Sequence, residues 1–156
     1  MHRPNSDRLA GIGELLQARG FATYFIYGGY GVFDNMNHYF ASNHYRVVDR
    51  TDFDEKTVQS ENVWGVDDES LFHHATQLLD AQHARGQPFF AHIMTTSNHR
   101  PYTYPDGRID IPSPGGRDGA VKYTDYAIGQ FLKQAQDKPW FKQTVFVFVA
   151  DHTAGS

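Results

Sequence analysis

The chain has 156 residues, of which 40% are hydrophobic, 21% charged and 15% aromatic, with no cysteine and a formal net charge of −4. The absence of cysteine excludes a disulfide scaffold, thiolate zinc sites and a cysteine nucleophile, while 14 basic against 18 acidic residues give no general attraction to nucleic acid. The 12 Phe, 9 Tyr and 2 Trp are too many for a disordered chain, no apolar run reaches the ~18 residues of a membrane span, and residues 1–5 carry no apolar signal core.

Ser6 is placed to cap a helix over 7–19, with Leu9, Ile12, Leu15 and Leu16 on one stripe and Gly20 as its stop. The β-branched and aromatic run 21–27, closed by Gly28-Gly29, reads as a buried strand. A short helix over 33–41 and a short strand over 45–48 follow, and the polar stretch 49–65 reads as loop. Asp67 or Asp68 opens a second helix whose inner face is Leu71, Phe72, Ala75, Leu78 and Leu79, with Gly86 as the stop. Residues 88–96 form a further apolar strand. From 97 to 119 the chain is rich in proline and glycine, the composition of a long functional loop. A third helix is expected over 119–136, burying Val121, Thr124, Ala127, Ile128, Phe131 and Leu132. The run 144–150 has the strongest strand signal of all and leads into Asp151-His152.

Helices alternating with continuously apolar strands predict an α/β fold, a mostly parallel sheet with helices on both faces. Because the chain stops soon after its best strand, the pattern predicts an incomplete fold, 1–156 being part of one domain truncated at both ends. Apolar faces left without covering helices lead us to expect self-association of such a piece.

In open parallel sheets ligands bind at the carboxyl ends of the strands. Three such ends carry suggestive residues: Gly28-Gly29-Tyr30, Thr95 to His99, and Asp151-His152. A carboxylate and an imidazole on adjacent residues suit Zn, Mn or Fe, or a hard ion where oxygen ligands dominate; the ordinary alternative is a capping Asp beside an exposed His. His99, with Asn98, Arg100 and Tyr102 nearby, suits an anionic phosphate or sulfate, against the alternative of a plain surface histidine. Gly28-Gly29 reads first as a tight turn. His73 and His74 are adjacent on a helix and point apart; His92, inside a strand, reads as a hydrogen-bonded core residue. His38 and His44 have no visible partner, His2 lies at the chain end, and His83 on a solvated helix face. Trp64 to Glu69 reads as an aromatic anchor ahead of an acidic first helical turn, with a stacking platform as the alternative.

Tyr27-Gly28-Gly29-Tyr30-Gly31, Phe33 to Asn37, Val48 to Phe53, Trp64 to Asp68, Thr95 to Pro101 and Ala150-Asp151-His152 occur in that order. Together they resemble the sulfatase-like catalytic domain of the lipoteichoic acid synthase and phosphoglycerol transferase family, within the alkaline phosphatase superfamily. The resemblance implies an extracytoplasmic, membrane-anchored parent enzyme that transfers phosphoglycerol from a phospholipid headgroup, or hydrolyses a related phosphate or sulfate ester. It implies a divalent metal, Mn or Mg with Zn and Ca as alternatives, activating a threonine nucleophile. By position, Asp151 and His152 match the family's metal-binding Asp-His pair, and His99, with Asn98, matches the loop that contacts the substrate phosphate. The family's glutamate ligand and threonine nucleophile lie upstream of residue 1, and Thr95 and Thr96 match neither, so no activity is expected of these residues alone. Asp34-Asn35-Met36 stands where lipoteichoic acid synthases have Trp-Asn-Arg, which leaves the substrate open. A non-catalytic module for lipid headgroups or glycans is the alternative from another class, and an unrelated zinc hydrolase the third reading.

Overall fold

A computed structural model describes residues 11–152. The expected cap Ser6 and the stripe residue Leu9 lie outside the described residues, as do 153–156. In chain order the elements are α1 (Ile12–Gln17), β1 (Ala22–Tyr27), α2 (Met36–Ser42), β2 (Arg46–Val48), β3 (Glu61–Asn62), β4 (Gly65–Val66), α3 (Asp68–Ala84), β5 (Phe89–Met94) and α4 (Gly116–Ala135). The architecture is α/β: β2, β1 and β5 form a parallel sheet in that order, and β3 and β4 a small antiparallel ribbon.

Strand alternation sorts the sheet's side chains onto two faces. On one, Tyr24, Ile26 and Val48 pack with Leu71 and Ala75 of α3, and Phe89, Ala91 and Ile93 of β5 join them. On the other, Phe25 and Tyr27 pack with Met36 and Phe40 of α2, the Phe25 and Phe40 rings stacking at 3.6 Å. Helices therefore cover both faces, as the apolar pattern predicts. α4 lies against α3 through Phe72, Tyr123, Ala127 and Phe131. The buried Trp140 closes the far end with Leu79 and Ala135, its indole N–H donating to Asp80 at 2.8 Å.

Four expectations need correction. The run 144–150 joins neither sheet: Val145, Val147, Phe148 and Val149 are exposed, and only Phe146 is taken up, by Phe131 and Phe141. A parallel strand is stable when both faces are covered, and here covering groups meet only the Phe146 side. Ile12 and Leu15 are exposed and Gly13 is the buried residue of α1, because the helix lies against the Tyr45 ring, where a Cβ at Gly13 would overlap. Val121 is exposed, since the buried stripe of α4 runs through Ala120, Tyr123, Thr124, Ala127, Phe131 and Ala135. His92 is exposed on edge strand β5, edge-on to Phe25 and Phe40, rather than a core residue.

The stretch 49–65 is more regular than its polarity suggests. Asp49 caps a 3-10 turn (Arg50–Asp52) in a reciprocal capping box with Asp52. Its carboxylate also accepts from Gly31 N–H at 3.0 Å, Asn37 Nδ2 at 2.8 Å and Thr51 Oγ1 at 2.6 Å, tying the end of β2 to the end of β1. Burial raises the Asp49 pKa, but the hydrogen bonds from Asn37, Thr51 and Gly31 outweigh it and hold the group below its ordinary value.

Two outcomes follow. Tyr24 donates to Gln82 Oε1 at 2.7 Å in the core, so Tyr24→Phe strands a buried acceptor and is expected to cost about 1–3 kcal/mol, read by urea denaturation. Because the folded pKa of Asp49 is depressed, its contribution is complete above the ordinary carboxylate range and is lost as pH falls through the folded value. Between pH ~6 and ~3 the wild type should therefore lose more stability than Asp49→Asn; parallel pH profiles would refute this.

Candidate functional site

Parallel alignment brings the carboxyl ends of β1, β2 and β5 to one edge, so Gly28-Gly29, Asp49-Arg50 and the segment 95–99 meet there. Backbone hydrogen bonds stitch the three ends together. Arg50 N–H donates to Gly29 O at 3.0 Å, Gly28 N–H to Met94 O at 3.4 Å, and Val66 N–H to Gly28 O at 2.9 Å. The glycines serve this packing: a Cβ on Gly29 would overlap the Trp64 carbonyl, and one on Gly65, whose φ is +137°, would overlap the Gly28 carbonyl. Gly28-Gly29 is thus a close approach of the protein's own chain.

That approach carries Trp64 over the edge. Its indole lies on the His99 imidazole with ring centroids 3.6 Å apart, and Phe33 meets it edge-on at 5.5 Å. His99 and Asn98 are both exposed at the end of β5, the place the strand pattern predicts. The Asn98 amide donates to Thr124 Oγ1 at 3.1 Å. Two tight turns follow, His99 N–H to Thr96 O and Tyr102 N–H to His99 O, at 3.1 and 2.8 Å. Arg117 and Arg100 converge on the Tyr102 hydroxyl and hold its pKa below the ordinary phenol value, Arg117 contributing more. Two guanidinium groups therefore meet at Tyr102, three residues after His99.

Arg50 presents a contrast. It is buried, donates from Nε and Nη2 to Glu61 and from Nη2 to Glu55, and its already high pKa is pushed further up by Glu61 first. Tyr30 donates to the same Glu61 at 3.2 Å. The charge of Arg50 is spent inside the wall.

Behind the His99 loop lies a fully buried carboxylate. Asp68 Oδ1 accepts from the N–H groups of Thr96 and Ser97 at 3.2 and 3.1 Å, and Oδ2 from Thr124 Oγ1 at 2.6 Å. Complete burial pushes its pKa up, against the opposing pull of Thr124 and Ser97. Its neighbour Asp67 caps α3, accepts from Ser60 and Ser70, and takes the Tyr123 hydroxyl at 3.1 Å. Burial, then Asp67 and Glu69, raise the Tyr123 pKa. The loop 97–115 is pinned as well: Tyr104 stacks on Tyr123 and donates to Ile111 and Pro112, and Arg108 pairs with Glu69.

Asp151 and His152 are exposed, with Oδ1 and Nε2 3.8 Å apart. Carboxylate oxygen and imidazole nitrogen are ligands a divalent ion accepts, and 3.8 Å lies within the span of two donors each ~2.1 Å from one ion. Among the described residues no group of three or more His, Cys, Asp or Glu is assembled for a metal. Of the other histidines, His74 stacks on Phe53 at 4.1 Å and His73 faces Gln77 at 3.0 Å, pointing apart as adjacent helical residues must. No described helix is long and apolar enough to cross a membrane.

Trp64 and Asp68 are the residues sequence reasoning underrated. Trp64 reads in sequence as an anchor and in the fold as a stacking partner of His99. Asp68 reads as a dipole-favoured first-turn acid and proves to be the acceptor of the strand-end amides.

Comparison with known proteins places this geometry. Phosphoglycerol transferase I of Xanthomonas campestris pv. campestris is 26% identical over 156 residues, covering 92% of this chain and 22% of its own length. The chain thus spans about a fifth of the length of the curated relatives it matches. A crystal structure of a protein in the alkaline phosphatase superfamily from Vibrio parahaemolyticus superposes with a TM-score of 0.79 at 34% identity, over 88% of this chain and 36% of that one. Lipoteichoic acid synthase LtaP of Listeria monocytogenes shares the fold, with a TM-score of 0.72 at 23% identity over 87% of this chain and 36% of its own. The sulfatase family profile matches residues 2–156, and the chain belongs to the sulfatase family.

Proposed function

We propose that this chain is part of a single sulfatase-like catalytic domain, 1–156, of a phosphoglycerol transferase or related ester hydrolase. The substrate would be a phospholipid headgroup or a phosphate or sulfate ester. The observation that carries the reading is the strand-end edge itself: His99 stands exposed there against Trp64, with Arg100 next in sequence and, with Arg117, acting on Tyr102. The similarity to phosphoglycerol transferases supports the choice of reaction. In this reading the intact enzyme is membrane-anchored and acts on the extracytoplasmic side, and the described residues alone are inactive.

His99 receives the transferring group. The imidazole is held against the indole at a tilt of 34°, and on this reading its exposed N–H donates to a phosphoryl or sulfuryl oxygen. Asn98 stands beside it, and the guanidinium groups of Arg100 and Arg117 raise the local concentration of anion. Asp151 and His152 would hold a divalent metal, Mn or Mg before Zn or Ca, together with ligands from elsewhere in the protein. When bound, that ion supplies charge neutralisation at the ester oxygens and acidifies a hydroxyl nucleophile. The alternative of a non-catalytic headgroup or glycan module has one supporting observation, the aromatic row Phe33, Trp64 and His99.

Two substitutions in the intact protein test the reading. Asp151→Ala should abolish most divalent-metal binding by calorimetry and nearly all turnover of a phosphodiester. His99→Ala should leave metal affinity unchanged and lower turnover ~10²-fold or more, the scale of losing one donor to developing charge. Equal metal affinity in wild type and Asp151→Ala would sink the metal assignment. Headgroup binding without any turnover in the intact protein would favour the non-catalytic module.

A further inference from the structure

The end of β5 is fastened from behind by groups that face away from the exposed edge. Asp68, 0% exposed, accepts two successive backbone N–H groups, Thr96 and Ser97, on one oxygen, and the Thr124 hydroxyl on the other. Thr124 spends its proton on Asp68 and its lone pair on the Asn98 amide, so a continuous chain runs Asp68, Thr124, Asn98. Ser97 Oγ returns the link by accepting from Asp68 N–H at 3.2 Å, and Thr96 Oγ1 donates to Val66 O at 2.6 Å. Three separate elements, α3, α4 and β4, thereby grip three consecutive residues that end where His99 begins. A capping role alone would not need this set, because Asp67 already caps α3.

We propose that Asp68 and Thr124 are positioning residues for His99: they lock Thr96 to Asn98 so that the imidazole is held on Trp64 and aimed at the strand-end edge. The proposal rests on the reading of His99 as the group that meets the substrate. Neither residue touches substrate; both act through the loop backbone and Asn98. Buried acceptors with several donors are rigid, since releasing one donor strands it away from water, and this rigidity is what an aimed side chain requires. Displacing a positioned group by ~1 Å can cost ~10²-fold in rate, so the hold has kinetic consequence.

The test uses the intact protein and two readouts. An imidazolium stacked on an indole quenches its fluorescence, so the part of the pH-dependent quench that His99→Ala abolishes reports the Trp64–His99 stack. Thr124→Val, which keeps shape and removes both hydrogen bonds, should lose most of that quench and lower kcat for a chromogenic phosphodiester about tenfold with KM little changed. Thr124→Ser should restore both. Asp68→Asn should act in the same direction as Thr124→Val and stands in for it if that variant does not fold. A full quench in both Thr124→Val and Asp68→Asn overturns the proposal, as does a lost quench with unchanged kcat while His99→Ala is inactive. If His99→Ala itself turns over normally, the functional reading of His99 fails; the quench then decides the positioning alone, its loss upholding it and its retention overturning it.

Discussion

The parallel ladder β2-β1-β5 is the constraint on which the rest depends. Parallel pairing puts all three carboxyl ends on one edge and leaves their last amides beyond the reach of the ladder. Those amides must find acceptors, because a buried unpaired N–H costs about as much as a lost hydrogen bond. Some pair with backbone carbonyls, as Arg50 N–H does with Gly29 O, and for others the acceptors are buried aspartates. Asp49 takes Gly31 after β1, and Asp68 takes Thr96 and Ser97 after β5. Asp67 takes Ser60 ahead of the ribbon that carries Trp64. Each carboxylate trades hydration for several donors, and the opposite pKa directions of Asp49 and Asp68 reflect how complete that desolvation is.

These joints explain why a glycine-rich edge is nonetheless ordered. Gly29 and Gly65 allow backbones to approach where no side chain fits, and the carboxylates then fix what the glycines leave free. The exposed groups at the edge, His99 and Asn98, stand on residues that are themselves buried, Thr96 at 5% and Ser97 at 1% exposure. An exposed side chain gains a fixed position from such a base, one residue from the core and still open to solvent.

Much of this was legible in the sequence, for physical reasons that differ by element. β1, α3 and β5 are long, strongly patterned segments with local stop signals, and they stand within a few residues of expectation. His99 was legible because a strand end in a parallel sheet is a privileged place, whatever the loop does next. Trp64 was legible only as an alternative, a stacking platform, since its partner is fixed by a two-residue ribbon with no periodicity to read. Asp68 was read for its charge at a helix start, although its chief partners lie 28 and 29 residues away. The run 144–150 failed in the opposite sense. An apolar, β-branched segment states a need for burial on two faces, and its sequence carries no information on whether those faces are supplied.

The distribution of charge along the edge follows from the same economy. Arg50 lies at the same edge, yet its buried guanidinium is paired with Glu61 and the exposed Glu55, leaving that corner net negative. Arg100 and Arg117 sit on the opposite side of the Trp64–His99 stack in the chain order, exposed and drawn together by the Tyr102 hydroxyl. The two arginines at Tyr102 and the acid-rich Arg50 corner thus differ in local charge within a chain whose net charge is −4. The overall charge gives no general attraction to polyanions, while the local arrangement sets two cations together at Tyr102.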